Sequence, residues 1–99
     1  MPAVARMGDN ISGDVGAGPT PIVSECIPNV LVNGMPIAVV GSVGAVHAAP
    51  PPHPPNSPVV SKGSATVLAG GKPVARVGDP CVCIGAPTII AGSGNVIAG

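Results

Sequence analysis

The chain is 99 residues long, contains no Phe, Tyr or Trp, and carries a formal net charge of zero on only 8% charged residues. A chain this short buries a modest core, and without aromatics or a basic excess it offers nucleic acid neither a stacking platform nor an electrostatic footprint. Its 15 Gly and 14 Pro taken alone suggest low complexity. Disordered chains, however, combine low hydropathy with high net charge, whereas this one is 45% hydrophobic. Val and Ile dominate its apolar residues, and β-branched side chains suit a pleated surface. The expectation is a thin, loop-rich all-β domain spanning residues 1–99. No apolar run approaches the roughly 20 residues of a membrane span. Met1-Pro2-Ala3-Val4-Ala5-Arg6 lacks the apolar stretch of a signal peptide, so synthesis in the cytoplasm is expected. Three cysteines, an odd number, argue for metal or packing rather than a disulfide framework.

In chain order, one strand–turn–strand unit recurs. The N-terminus carries its second half, Ala5-Arg6-Met7-Gly8-Asp9, followed by a loop over 9–20. A full copy runs from Ile27 to Ser42, followed by a loop over 42–57. A second full copy, 37 residues on, runs from Ser64 to Asp79, followed by a loop over 79–87. The C-terminus, Gly92-Ser93-Gly94-Asn95-Val96-Ile97-Ala98-Gly99, repeats the first half. Val30-Leu31-Val32 and Val67-Leu68-Ala69 are predicted strands. Asn33-Gly34 and Gly70-Gly71 suit the positive φ angles of a type I′ turn. Pro36 and Pro73 begin the return strands, where a missing N–H is tolerated. The terminal halves are expected to join as a third unit, giving pseudo-threefold symmetry with all three loops leaving from one end.

Arg6 with Asp9 and Arg76 with Asp79 share one spacing, and the middle copy replaces both together with Val39 and Ser42. Joint loss indicates that the side chains interact. The ordinary expectation is an exposed ion pair worth under about 1 kcal/mol.

Pro73-Val74-Ala75-Arg76-Val77-Gly78-Asp79, and Pro2-Ala3-Val4-Ala5-Arg6-Met7-Gly8-Asp9 with one extra residue, resemble the signature of PAAR-repeat proteins. Gly63-Ser64 followed by Val67, Gly71 and Pro73 also fits that pattern. The resemblance implies a small conical β domain of three hairpins with loops gathered at a metal-stapled tip. It implies a structural role, not an enzyme: capping the trimeric β-helical spike of type VI secretion systems or contractile phage tails. One chain per spike trimer would sharpen it for piercing a target membrane, touched only transiently, and would help load effector proteins. A protein without a signal peptide would then be assembled at the tip of a secreted spike or virion tail. Val30, Leu31, Val67, Leu68, Val96 and Ile97 are the expected docking positions.

The family binds zinc near the tip, usually through three His and one Cys. Here only His47 and His53 are available, both in the middle loop. Cys83 lies at the family's loop-cysteine position, five residues after Gly78, and Gly13 and Asp14 stand where the first-loop His is common. Zinc takes four N, S or O ligands, so His47, His53, Cys83 and Cys81 are the expected set, with Asp14 as the competing fourth ligand. A metal crosslink is among the few staples open to so small a scaffold. His53 sits within Pro50-Pro51-Pro52-His53-Pro54-Pro55, where proline limits the entropy lost on ligation. Cys26 aligns with Gly63, away from the loops, and reads as packing. The alternative function is a small zinc-binding carrier or adaptor with no mechanical role.

Overall fold

The computed structural model describes residues 2–12, 19–45, 57–82 and 87–98, and every regular element among them is a strand. The expected hairpins are present. Strand β3 (Ile27–Val32) turns through Asn33 and Gly34 into β4 (Met35–Ile37), pairing Val32 with Met35 and Leu31 with Pro36. Asn33 and Gly34 have φ of 53° and 82°, the two positive values a type I′ turn requires. Strand β7 (Leu68–Ala69) turns through Gly70 and Gly71, φ 58° and 79°, into β8 (Lys72–Pro73), again pairing Leu with Pro. Val67 lies just outside β7, yet its carbonyl still accepts the Val74 N–H at 3.0 Å. The third hairpin is built from the two ends of the chain. Ala3 bridges Ile97, Val4 N–H donates to the Val96 carbonyl at 2.9 Å, and Ala98 N–H to the Pro2 carbonyl at 3.0 Å.

A second antiparallel system lies beneath the loops. It follows the order β1 (Asn10–Ile11), β2 (Thr20–Ser24), β5 (Val43–Gly44), β6 (Val59–Val60), β9 (Cys81–Val82). Single bridges Pro80↔Thr88 and Ile11↔Ile89 carry the pairing back to β1. Among the described residues the curled sheet is thereby closed into a ring, so that none of its strands there is left as an open edge. In an antiparallel ring neighbouring segments alternate in direction. The three departures, after Ser12, Ala45 and Val82, therefore leave from one end. Ile11, Ile22, Val60, Cys81 and Ile89 alternate inward to form one core cluster with Ala5, Ala38 and Ala75.

Those three alanines lie on the pseudo-threefold axis. Ala5 N–H donates to Ala75 O (2.9 Å), Ala75 N–H to Ala38 O (2.9 Å) and Ala38 N–H to Ala5 O (3.1 Å), closing a cycle. Three backbones meet this closely only where the side chain is a methyl, and all three alanines are fully buried. Val4, Ile37 and Val74, one residue earlier in each copy, form a second cluster with Val32, Val39, Ala69 and Ala98 between the hairpins. Two thin layers thus replace the single aromatic core this composition cannot supply. The dimensions, 37 × 23 × 22 Å, have one long and two nearly equal short axes, as threefold packing about the long axis gives.

The turn joining each hairpin to the ring is where the structure departs from the expected exposed ion pair. Asp9 accepts three hydrogen bonds from Arg6: from its N–H (2.8 Å) and Nε (2.9 Å) at Oδ2, and from Nη2 (2.9 Å) at Oδ1. Asp79 repeats the set with Arg76 at 2.8, 3.0 and 2.9 Å. The carboxylate side chains are only 11% and 8% exposed. Such a bidentate, mostly buried pair is a lock on the turn, stronger than a solvated bridge. The hydrogen bonds to Asp9 and Asp79 push the pKa of both guanidinium groups above its ordinary value. In the middle copy Ser42 Oγ alone accepts the Val39 N–H, at 2.9 Å. The turn survives the joint loss because a hydroxyl still satisfies its buried N–H.

Candidate docking face and metal centre

At the hairpin end, equivalent residues of the three units present equivalent side chains. Leu31, Leu68 and Ile97 are 59%, 61% and 56% exposed. Each faces out because its neighbour, Val32, Ala69 or Ala98, faces in, and strand side chains alternate. Val30 and Val67 flank them, also exposed. Val96, expected to be their third equivalent, is instead half-buried against the second core cluster. Three large aliphatic side chains held outward at matched exposure form a threefold apolar base. Around them Pro2, Met35 and Lys72 occupy equivalent exposed positions and differ in kind.

At the loop end, the ring brings the three loop departures together. Ile11, Gly44 and Cys81 are equivalent positions inside it, two residues after each turn. Gly44 is small of necessity: a Cβ there would lie 2.9 Å from Pro58 Cγ and 3.1 Å from Ile11 Cδ1. Cys81 is 3% exposed and packs with Ile11, Ile22, Val60 and Ile89. Of the expected metal ligands it is the one within the described residues; His47, His53, Cys83 and Asp14 lie outside them. Among the described residues no group of three potential ligands comes together.

Cys26 behaves as expected for packing. It is half-buried against the ring core, with Ser42 Oγ 3.7 Å from its sulfur, and burial raises its thiol pKa. Gly63 and Gly92, its equivalents, lie tight against facing strands, where a Cβ would fall 2.6 Å from the Val74 carbonyl or 2.9 Å from that of Val4. Sequence reasoning missed the outward apolar residues of the ring, Val23, Val82 and Ile90, all strongly exposed. Period-two alternation from Ile22, Cys81 and Ile89 would have found them.

The family model described as PAAR motif matches residues 48–99, which span the Arg76–Asp79 copy and the C-terminal half-unit. Comparison with curated proteins gives no match. The recurrence of this motif on a closed threefold β frame, with the family match over half the chain, makes the protein a member of the PAAR-motif family, whose proteins are structural components of spike tips in contractile injection machines.

Proposed function

We propose that this protein caps the trimeric β-helical spike of a contractile injection machine, one chain per trimer, and sharpens it for membrane piercing. The observation that carries this reading is the matched trio Leu31, Leu68 and Ile97 on three pseudo-equivalent hairpins. A β-helix ends in exposed strand edges and apolar side chains that invite association unless covered. A monomer with three near-identical apolar contacts meets three identical chain ends without itself being a trimer. Effector proteins, where carried, would be partners of the assembled tip.

The same reading gives the loop end a structural zinc, held by His47, His53 and Cys83, with Cys81 or Asp14 as fourth ligand. Supporting it are the common departure end of the three loops and the donor types, since imidazole and thiolate favour zinc. Bound zinc would crosslink the loops, and a four-ligand site leaves no open position for catalysis. Cys81 already fills a place in the ring core, so its use as ligand would draw on a packed thiol, whereas Asp14 would not.

Two measurements test the proposal separately. Co-purification with a trimeric β-helix spike fragment should retain the wild type, and Leu31→Glu with Leu68→Glu should abolish retention. Metal analysis should find one zinc per chain, lost in Cys83→Ser. Retention of the double variant at wild-type level would overturn the docking face, and a metal-free wild type would overturn the zinc.

A further inference from the structure

The three hairpins are alike in pairing, but only two are closed by a turn. No turn joins residue 98 to residue 2; the terminal hairpin is closed by cross-strand hydrogen bonds and by the packing of Val4, Val96 and Ala98 in the second core cluster. The junctions between neighbouring units differ accordingly. At the junction against the middle unit's first strand, Gly70 meets Ile27 so tightly that a Cβ would lie 2.8 Å from Ile27 Cδ1, an apolar contact with no side chain on the turn. At the junction against the C-terminal strand the equivalent turn residue is Asn33, and it is fully engaged. Its Oδ1 accepts from Arg6 Nη1 (3.1 Å) and from Ser93 Oγ (2.5 Å). Its Nδ2 donates to Asn95 Oδ1 at 2.9 Å.

Ser93 and Asn95 are themselves fixed in the strand. Ser93 Oγ accepts from the N–H groups of Asn95 (3.2 Å) and Val96 (3.0 Å), as Ser64 Oγ does from those of Thr66 (3.2 Å) and Val67 (2.9 Å) in the covalently closed copy. Arg6 Nη2 reaches the Gly92 carbonyl at 3.4 Å, matching Arg76 to Gly63 at 3.4 Å. What the middle unit adds to this shared frame is the Asn33 side chain, which ties the tip of its hairpin to both halves of the broken one, Arg6 on the N-terminal side and Ser93 with Asn95 on the C-terminal side.

We infer that Asn33 is a latch that stands in for the missing turn of the terminal hairpin, and that this hairpin is the segment that opens when the latch is released. The carboxamide suits the task because it donates and accepts at once. Asn also tolerates the positive φ that the turn demands, so latch and turn share one residue. Residues 2–4 and 96–98 would then open as a local unit below the free energy of global unfolding, uncovering Val4 and Ala98 of the second core cluster. This follows from the network alone and does not depend on what the hairpin end docks against.

Native-state hydrogen exchange of the wild-type chain and Asn33→Gly tests the latch. Gly keeps the positive-φ turn, as Gly70 does, and removes every latch contact. The Val4 and Ala98 amides, which bond across the terminal hairpin, should exchange about tenfold faster or more, given the usual worth of such hydrogen bonds. The Val74 amide, which bonds across the turn-closed hairpin to Val67, should keep its rate. Asn95→Thr, which copies Thr66 and removes the Oδ1 that accepts from Asn33 Nδ2 and Ser93 Oγ while leaving the Arg6 and Ser93 bonds to Asn33, should shift the same two amides by a smaller factor. Unchanged Val4 and Ala98 rates in Asn33→Gly, or a parallel rise at Val74, would overturn the inference.

Discussion

The two ends of this molecule are built from the same repeat under opposite rules. At the hairpin end the three copies keep matched chemistry: Leu31, Leu68 and Ile97 have nearly equal exposure, and two of the turns share the type I′ pattern. At the loop end equivalent positions diverge, with Ile11, Gly44 and Cys81 inside one ring. Likeness is kept where an outside threefold surface would demand it. Difference is tolerated where the three positions share one ring interior, because that interior needs a total volume, not three equal parts.

The most severe way to break this contrast is to disturb that shared volume. Gly44→Val would drive side-chain atoms into Pro58 and Ile11 and should cost about 3 kcal/mol, read as a lower urea midpoint with an unchanged slope. The turn locks between the two ends come next. Asp79→Ala removes three hydrogen bonds from Arg76 and leaves a largely buried N–H unsatisfied, for a loss of about 2 kcal/mol. Ser42→Ala, in the copy that uses a hydroxyl alone, should lose only about 1 kcal/mol. Equal losses at the two positions would show that the charged side chains add nothing to the turn.

A smaller effect is pH-dependent. Burial raises the Cys26 thiol above its usual value of 9.0, so its contribution is complete below that value and is lost as pH rises through the folded-state pKa. Between pH 8 and pH 10 the wild type should therefore lose more melting temperature than Cys26→Ala does. The smallest stability change belongs to the hairpin end: Leu31→Ser should alter the unfolding free energy by less than about 0.5 kcal/mol, because that side chain is mostly in water already.

Much of the frame was legible in the chain. Asn33-Gly34 announced its turn because few residue pairs accept two positive φ angles, and the recurrence of Leu31 and Leu68 as Ile97 announced the terminal hairpin. The inward placing of Cys81 followed from strand alternation once β9 was known. Other features were not legible, for reasons of distance. Closure of the ring rests on bridges between Ile11 and Ile89 and between Pro80 and Thr88, and single-residue pairings leave no local periodicity. The strength of the Arg6–Asp9 and Arg76–Asp79 pairs depends on burial supplied by the assembled units, which a three-residue spacing does not encode. The half-buried state of Val96 arises from the same assembly. The proposed metal site was read from donor types alone, and of its expected ligands only Cys81 falls among the described residues.

The central claim, that the hairpin end is a threefold docking base, is tested most directly by native mass spectrometry of the protein mixed with a trimeric β-helical spike fragment. The expected result is a complex of one chain with one trimer, absent for Leu31→Glu with Leu68→Glu although that variant melts cooperatively. Three chains per trimer, or an unaltered complex with the double variant, would contradict it.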